Sequence, residues 1–156
     1  MSRNCIHVRA PASQVFEILA NPLGYASFVV GAKQVRRYDP SWPAVGAAIH
    51  HTFGVGPMWM RDATTVVAVE RNRRLVLDAG MGPMGASRIS FTIEQDRHDA
   101  GCTVWIEEDP CRGPIAAVWN RAFDVLLGAR NLELLRRLQE LAEAAHAAGR
   151  APVVRP

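Results

Sequence analysis

The strongest constraint on the fold is the period-two alternation of apolar and polar residues from residue 32 to residue 110. Such alternation sends successive side chains to opposite faces of an extended strand. Turn chemistry breaks it at 39–43 (Asp-Pro-Ser-Trp-Pro), 54–57 (Gly-Val-Gly-Pro), 70–73 (Glu-Arg-Asn-Arg), 80–85 and 97–101. These five breaks predict six consecutive antiparallel strands joined by hairpins. Upstream, residues 3–9 alternate as a first strand. Pro11 then suits the first turn of a helix with Val15, Phe16, Ile18 and Leu19 on its apolar face, ended by Asn21-Pro22. A second short helix near 22–30 presents Leu23, Tyr25, Phe28 and Val29 before Gly31.

Downstream, Gly113-Pro114 opens a long helix that Gly149 ends, with an apolar stripe of Trp119, Phe123, Leu127, Leu134, Leu138, Leu141 and Ala145. From Pro114 to His146 it would run roughly 50 Å, which fits only across a curved sheet. Its other face mixes Arg130, Arg136 and Arg137 with Glu133, Glu140 and Glu143 and reads as solvated. Residues 1–149 thus form a single α+β domain, and 150–156 form a flexible tail.

Composition narrows the class. With 156 residues, 49% of them hydrophobic and 21% charged, the chain can bury a core without staples and is neither disordered nor a coiled coil. No apolar run approaches the ~20 residues of a membrane helix, and no signal-type apolar region follows Met1, so a soluble cytoplasmic protein is expected. Cys5, Cys102 and Cys111 form no CxxC pair and read as free thiols.

Strand, two small helices, six-strand meander, long helix: this order resembles the helix-grip superfamily. That group contains START lipid-transfer domains, the birch-pollen-allergen family and bacterial polyketide cyclase/dehydrases. Local resemblance lies in Val8-Arg9-Ala10-Pro11-Ala12-Ser13-Gln14-Val15-Phe16, in Val45-Gly46 entering the third strand and in Arg73-Arg74-Leu75 entering the fifth. It returns in Leu134 to Glu143 of the last helix. It spans nearly the whole chain, and the order carries more of it than any single motif. It implies a curved seven-stranded antiparallel sheet gripping the C-terminal helix, with an apolar cavity between them. It also implies a lipid- or polyketide-like guest that is either carried or turned over.

The strand register follows from the residues themselves. Leu75 and Leu77 oppose Asp78, and Ile89, Phe91 and Ile93 alternate with Ser90, Thr92 and Glu94, which sets the inward face. A loop at 82–86 pairs Ala79 with Ile89 and Leu77 with Phe91, and a turn at 70–73 pairs Ala68 with Leu75. A loop at 54–57 pairs Phe53 with Met58 and His51 with Met60. Pairing Ile93 with Val104 sends Ile106 and Glu108 inward. Trp59 and Trp105 then point outward, to cover surface, to meet a partner such as a second copy, or to mark a bulge. The expected lining is Phe53, Met58, Met60, Met81, Ile89 and Ile106, closed by Trp119 and Phe123, with the polar groups His51, Asp62, Thr64, Ser87 and Glu108 among them. Met58 and Met84, each in a Gly-Pro-Met triplet, would rim the mouth with the 110–114 link.

His51 and Asp62 fall on adjacent strands, diagonal to one another, where a carboxylate can orient an imidazole. In a cyclase or dehydratase His51 would be the general base, Asp62 its orienting group and Glu108 an acid. The plainer alternative is a structural hydrogen bond. No metal site is expected: His50 and His51 point to opposite faces, and His7, His98 and His146 lack partners at ligand spacing. Residues 80–85 match GxGxxG but precede a strand rather than a helix, so no phosphate loop follows. No cofactor is implied. Arg71, Arg73 and Arg74 cluster without interleaved aromatics, which argues against nucleic acid.

Overall fold

Seven strands form one curved antiparallel sheet: β1 (Ser2–Val8), β2 (Ala32–Tyr38), β3 (Ala48–Val55), β4 (Met58–Glu70), β5 (Arg74–Gly80), β6 (Ala86–Gln95) and β7 (Cys102–Arg112). Their order, β1-β7-β6-β5-β4-β3-β2, is a plain meander with β1 added beside β7. Between β1 and β2 lie α1 (Ala12–Leu19) and α2 (Tyr25–Phe28), and α3 (Arg121–Ala147) closes the order. A computed structural model describes residues 2–55, 58–114, 117 and 120–149, with Val55 and Met58 as backbone only. The tail predicted at 150–156 lies outside the described residues.

The helix starts follow local chemistry. Pro11 caps α1, whose Val15, Phe16, Ile18 and Leu19 are buried. The side chain of Asn21 accepts a hydrogen bond from the Leu23 amide at 3.0 Å and begins the 3-10 turn that leads into α2. The long helix begins later than predicted. β7 runs on to Arg112, Gly113 turns the chain at φ +80°, and Asn120 caps α3 through the Phe123 amide at 3.0 Å. An Asn accepting from N3 satisfies an otherwise orphaned amide, whereas Pro114 has no such side chain. At 27 residues α3 spans about 40 Å rather than 50. Its buried stripe is Leu127, Asn131, Leu134, Leu135, Leu138 and Ala142, rotated from the predicted one so that Asn131, Leu135 and Ala142 join it while Leu141 packs only partly buried at its edge. α3 lies chiefly against β1 and α1, and the core fills the space between them and the concave sheet face.

Inward and outward faces are as predicted except past a bulge in β4, where Val69 takes the inward place expected for Ala68, and three hairpins differ in register. β5 pairs Leu75 with Phe91 and Leu77 with Ile89, two residues from the predicted pairing, because the loop is 81–85 with a 3-10 turn at Gly82–Met84. β3 pairs Phe53 with Met60 and His51 with Asp62, since Val55 and Met58 still pair and only 56–57 separate the strands. Between β4 and β5, Val66 faces Leu77 as predicted. A bulge between Val66 and Ala68 then shifts the turn end, so that Leu75 meets Val69 instead of Ala68. The β6–β7 pairing of Ile93 with Val104 is as predicted. A shift of two residues preserves the side-chain face, which is why the inward set survives it.

Trp59 and Trp105 do point outward, and each sits beneath a cation. Lys33 Nζ lies 4.6 Å from the Trp59 ring and the Arg3 guanidinium 4.5 Å from that of Trp105. They cover surface in this way, with no bulge at either position.

Candidate functional site

A cavity of about 420 Å³ lies where α2 and the first turns of α3 lean over one end of the sheet. Val29, Val30, Phe53, Ala79, Met81, Ile89, Phe123, Leu126 and Leu127 make most of its wall. Shallower grooves on the outer surface, such as that around Asn72 and Arg73, are more open to solvent. A mostly apolar hollow of this size with a few convergent polar groups suits a small molecule.

Two polar sets interrupt the apolar wall. In the first, α2 carries Tyr25 inward, its ring stacked on His51 with centroids 5.3 Å apart. Tyr25 Oη lies 3.0 Å from Thr64 Oγ1, which lies 2.9 Å from His51 Nε2. Tyr25, Thr64 and His51 are all buried. Burial pushes the Tyr25 hydroxyl above its usual pKa and holds His51 below 6.5; the negative charge of Asp62 opposes the latter shift, while Arg36 and His50 reinforce it. The set is therefore a neutral phenol and a neutral imidazole joined through a threonine hydroxyl. Among the described residues, His51 Nδ1 is buried and has no hydrogen-bond partner.

The second set is centred on Glu108 in β7. Ser87 donates to Oε1 at 3.0 Å, while Asn131 at 2.9 Å and Arg130 at 3.2 Å donate to Oε2. Arg130 also donates from Nε to the Val30 carbonyl at 3.2 Å. It thereby ties α3 to the segment after α2 rather than joining the solvated face predicted for it. Asn131 Oδ1 is buried without a partner among the described residues.

The predicted residues fall into distinct places. Phe53, Met81, Ser87, Ile89, Phe123, His51 and Glu108 line the cavity. Thr64 supports it from behind, and Ile106 is fully buried in the core. Met60 (37% exposed) and Met84 (38%) lie outside the wall, with Met60 Sδ packed close to Gly82. Trp119, predicted to close the cavity, lies outside the described residues, as does the Met58 side chain. Asp62 pairs directly with His51 in register rather than diagonally, yet its carboxylate turns to the strand end. There Oδ2 accepts from the Gly82 amide at 2.5 Å and Oδ1 from the Ala63 amide at 2.8 Å. β5 stops at Gly80, so the loop amide of Gly82 has no strand partner and takes the nearest carboxylate. A Cβ at position 80 would land on Asp62 Oδ1, so glycine there leaves room for this arrangement.

Sequence reasoning missed Tyr25, Arg130 and Asn131 as site groups. Asn131 had a legible signal, a polar residue at a core position of the helical stripe. Spacing along the chain also hid a second cluster. His7, Asp96 and Asp99 come together at the far end of β6 and β7, their candidate ligand atoms within 4.8 Å of one another, which corrects the expectation that His7 has no such neighbours. His7 Nε2 and Asp96 Oδ2 form a partly exposed pair at 2.8 Å.

No protein-family model matches the sequence, and none of the curated proteins does. Solved structures match over almost its full length. The di-domain ARO/CYC BexL from the BE-7585A biosynthetic pathway aligns over 93% of this chain and 47% of its own, with a TM-score of 0.71 and 13% identity. DynU16, from the dynemicin biosynthetic locus, aligns over 97% of this chain and 48% of its own, with a TM-score of 0.66 and 20% identity. This chain thus spans about half the length of each of these two proteins. DR_A0006 from Deinococcus radiodurans aligns over 92% of this chain and 98% of its own, with a TM-score of 0.65 and 11% identity. At such identities the likeness is one of architecture, and by it this chain is a protein of the helix-grip fold.

Proposed function

We propose that the protein binds a small hydrophobic or aromatic molecule, lipid- or polyketide-like, between α3 and the sheet. The observation that carries this reading is the 420 Å³ apolar cavity itself, kept open beside an otherwise filled core. Protein interiors pack at near-crystal density, so a hollow of this size is not a packing remainder. The ARO/CYC and DynU16 likenesses agree with a polyketide-type guest. Ala79 on β5 contributes only a methyl group to the wall, so Ala79→Phe fills the hollow from a strand without burying charge. Titration with an apolar naphthalene probe is expected to show binding to the parent protein and at least about tenfold weaker binding to the variant. Equal affinities, with both proteins folded by circular dichroism, would overturn the cavity reading.

One observation favours turnover as a second reading. A neutral imidazole lines the cavity, and burial is what keeps it neutral, so His51 is available as a general base near neutral pH. Asp62 contributes its charge to that basicity, while its carboxylate is fixed on the loop amide. Glu108 already accepts from three donors, which fixes its carboxyl group in place between β6 and α3. If the protein closes or dehydrates a polyketide-like chain, its rate rises with pH through an inflection below 6.5 and is flat above it. A pH–rate profile lacking that inflection, or one unchanged in His51→Phe, would remove His51 from the chemistry.

A further inference from the structure

The Tyr25–Thr64–His51 chain contains more protons than it can place. Two hydroxyls and a neutral imidazole bring three hydrogens, yet among the described residues the chain has only two links, Tyr25 to Thr64 and Thr64 to His51. Whichever way the links run, one donor is left over. If Tyr25 donates to Thr64 and Thr64 to Nε2, the surplus is the Nδ1–H of His51. If the direction reverses, it is the Tyr25 hydroxyl. The remaining arrangement frees the Thr64 hydroxyl.

Among the described residues no carboxylate receives it. Glu108 accepts from Ser87, Asn131 and Arg130, and Asp62 from the amides of Gly82 and Ala63. His51 Nδ1 has no partner among the described residues, and His51 is only 3% exposed, so bulk water does not relieve it. A buried donor without an acceptor is costly, and the cost is recovered when an acceptor arrives. Both ends of the chain, Tyr25 and His51, stand in the cavity wall.

From this count we infer that the guest is an apolar molecule carrying an acceptor oxygen, a ketone or ester carbonyl, that accepts a hydrogen bond from the surplus donor at His51 or Tyr25. The inference rests on the cavity reading and narrows it, setting a carbonyl-bearing ring system apart from a plain hydrocarbon or an unmodified acyl tail. The apolar remainder of the guest lies against Phe53, Ile89 and Leu127.

Two probes of equal shape separate the ideas: 2-acetylnaphthalene and 2-isopropenylnaphthalene, which differ only in C=O against C=CH2. The ketone is expected to bind about tenfold more tightly. Its bound carbonyl stretch is expected at lower wavenumber than in an apolar solvent. The preference is expected to collapse in Tyr25→Phe or in His51→Phe, whichever removes the donor. The infrared measurement uses the parent protein, so it stands even where a variant fails to fold. Equal binding of both probes, or an unshifted carbonyl, would overturn the inference and leave the cavity reading standing. Binding of neither probe would overturn both.

Discussion

Glu108→Ala is expected to cost about 3–5 kcal/mol of folding stability, the loss typical of removing one member of a buried ion pair. The carboxylate is 4% exposed and accepts from β6 through Ser87 and from α3 through Arg130 and Asn131. Ser87 has a second acceptor in the Asp109 carbonyl at 3.2 Å, so the change falls on the two helix residues. Among the described residues, Asn131 already has an unpartnered Oδ1 and would lose its amide bond too, while Arg130 would keep only the Val30 carbonyl. Glu108→Gln keeps the volume and one acceptor and is expected to lose roughly half as much. Urea unfolding of the three proteins measures both. A loss under about 1 kcal/mol for the alanine variant would show that the helix is held by its apolar stripe alone.

Gly85→Ala is the other large effect, of at least about 2 kcal/mol, because backbone strain and collision add. Gly85 has φ +116°, and a Cβ there would strike the Arg112 carbonyl. From the other side, a Cβ on Gly113 would meet the Gly85 Cα at 2.5 Å, so the two glycines fit back to back. Their contact presses the 81–85 loop onto the end of β7, and that loop begins with the lining residue Met81. The variant is therefore expected to weaken guest binding along with stability. Thermal unfolding and a naphthalene titration would report the two losses. An unaffected melting temperature would mean that the loop can lift away from Arg112 without cost.

The alternation along 32–110 made the meander legible, and the turn chemistry that punctuates it put every hairpin within a few residues of its observed place. Inward faces were legible for the same reason, since a strand repeats every two residues and a slip of two leaves the face intact. Loop geometry was not legible. The 3-10 turn at Gly82–Met84 and the bulge after Val66 are set by packing across the sheet, and they decide which residues become neighbours. The β3–β4 hairpin is tighter than its Gly-Pro signal suggests, with Val55 and Met58 still paired, so His51 stands opposite Asp62 rather than diagonal to it and is bonded to Thr64. The site groups from the helices were hidden for another reason. Tyr25 reads as an ordinary apolar residue of a short helix and Arg130 as one of several surface arginines, until the packing of α2 and α3 turns both toward the cavity.

The placement of β1 has a consequence for synthesis. Within this sheet β1 is translated before every other strand, yet it pairs with β7, which is translated after them. The nascent chain thus carries an unmatched ribbon, Ser2–Val8, while β2 to β6 are made, and the sheet closes only after Cys102–Arg112 has emerged. Pairings so distant in sequence make for slow maturation and a long interval in which sticky edges are bare.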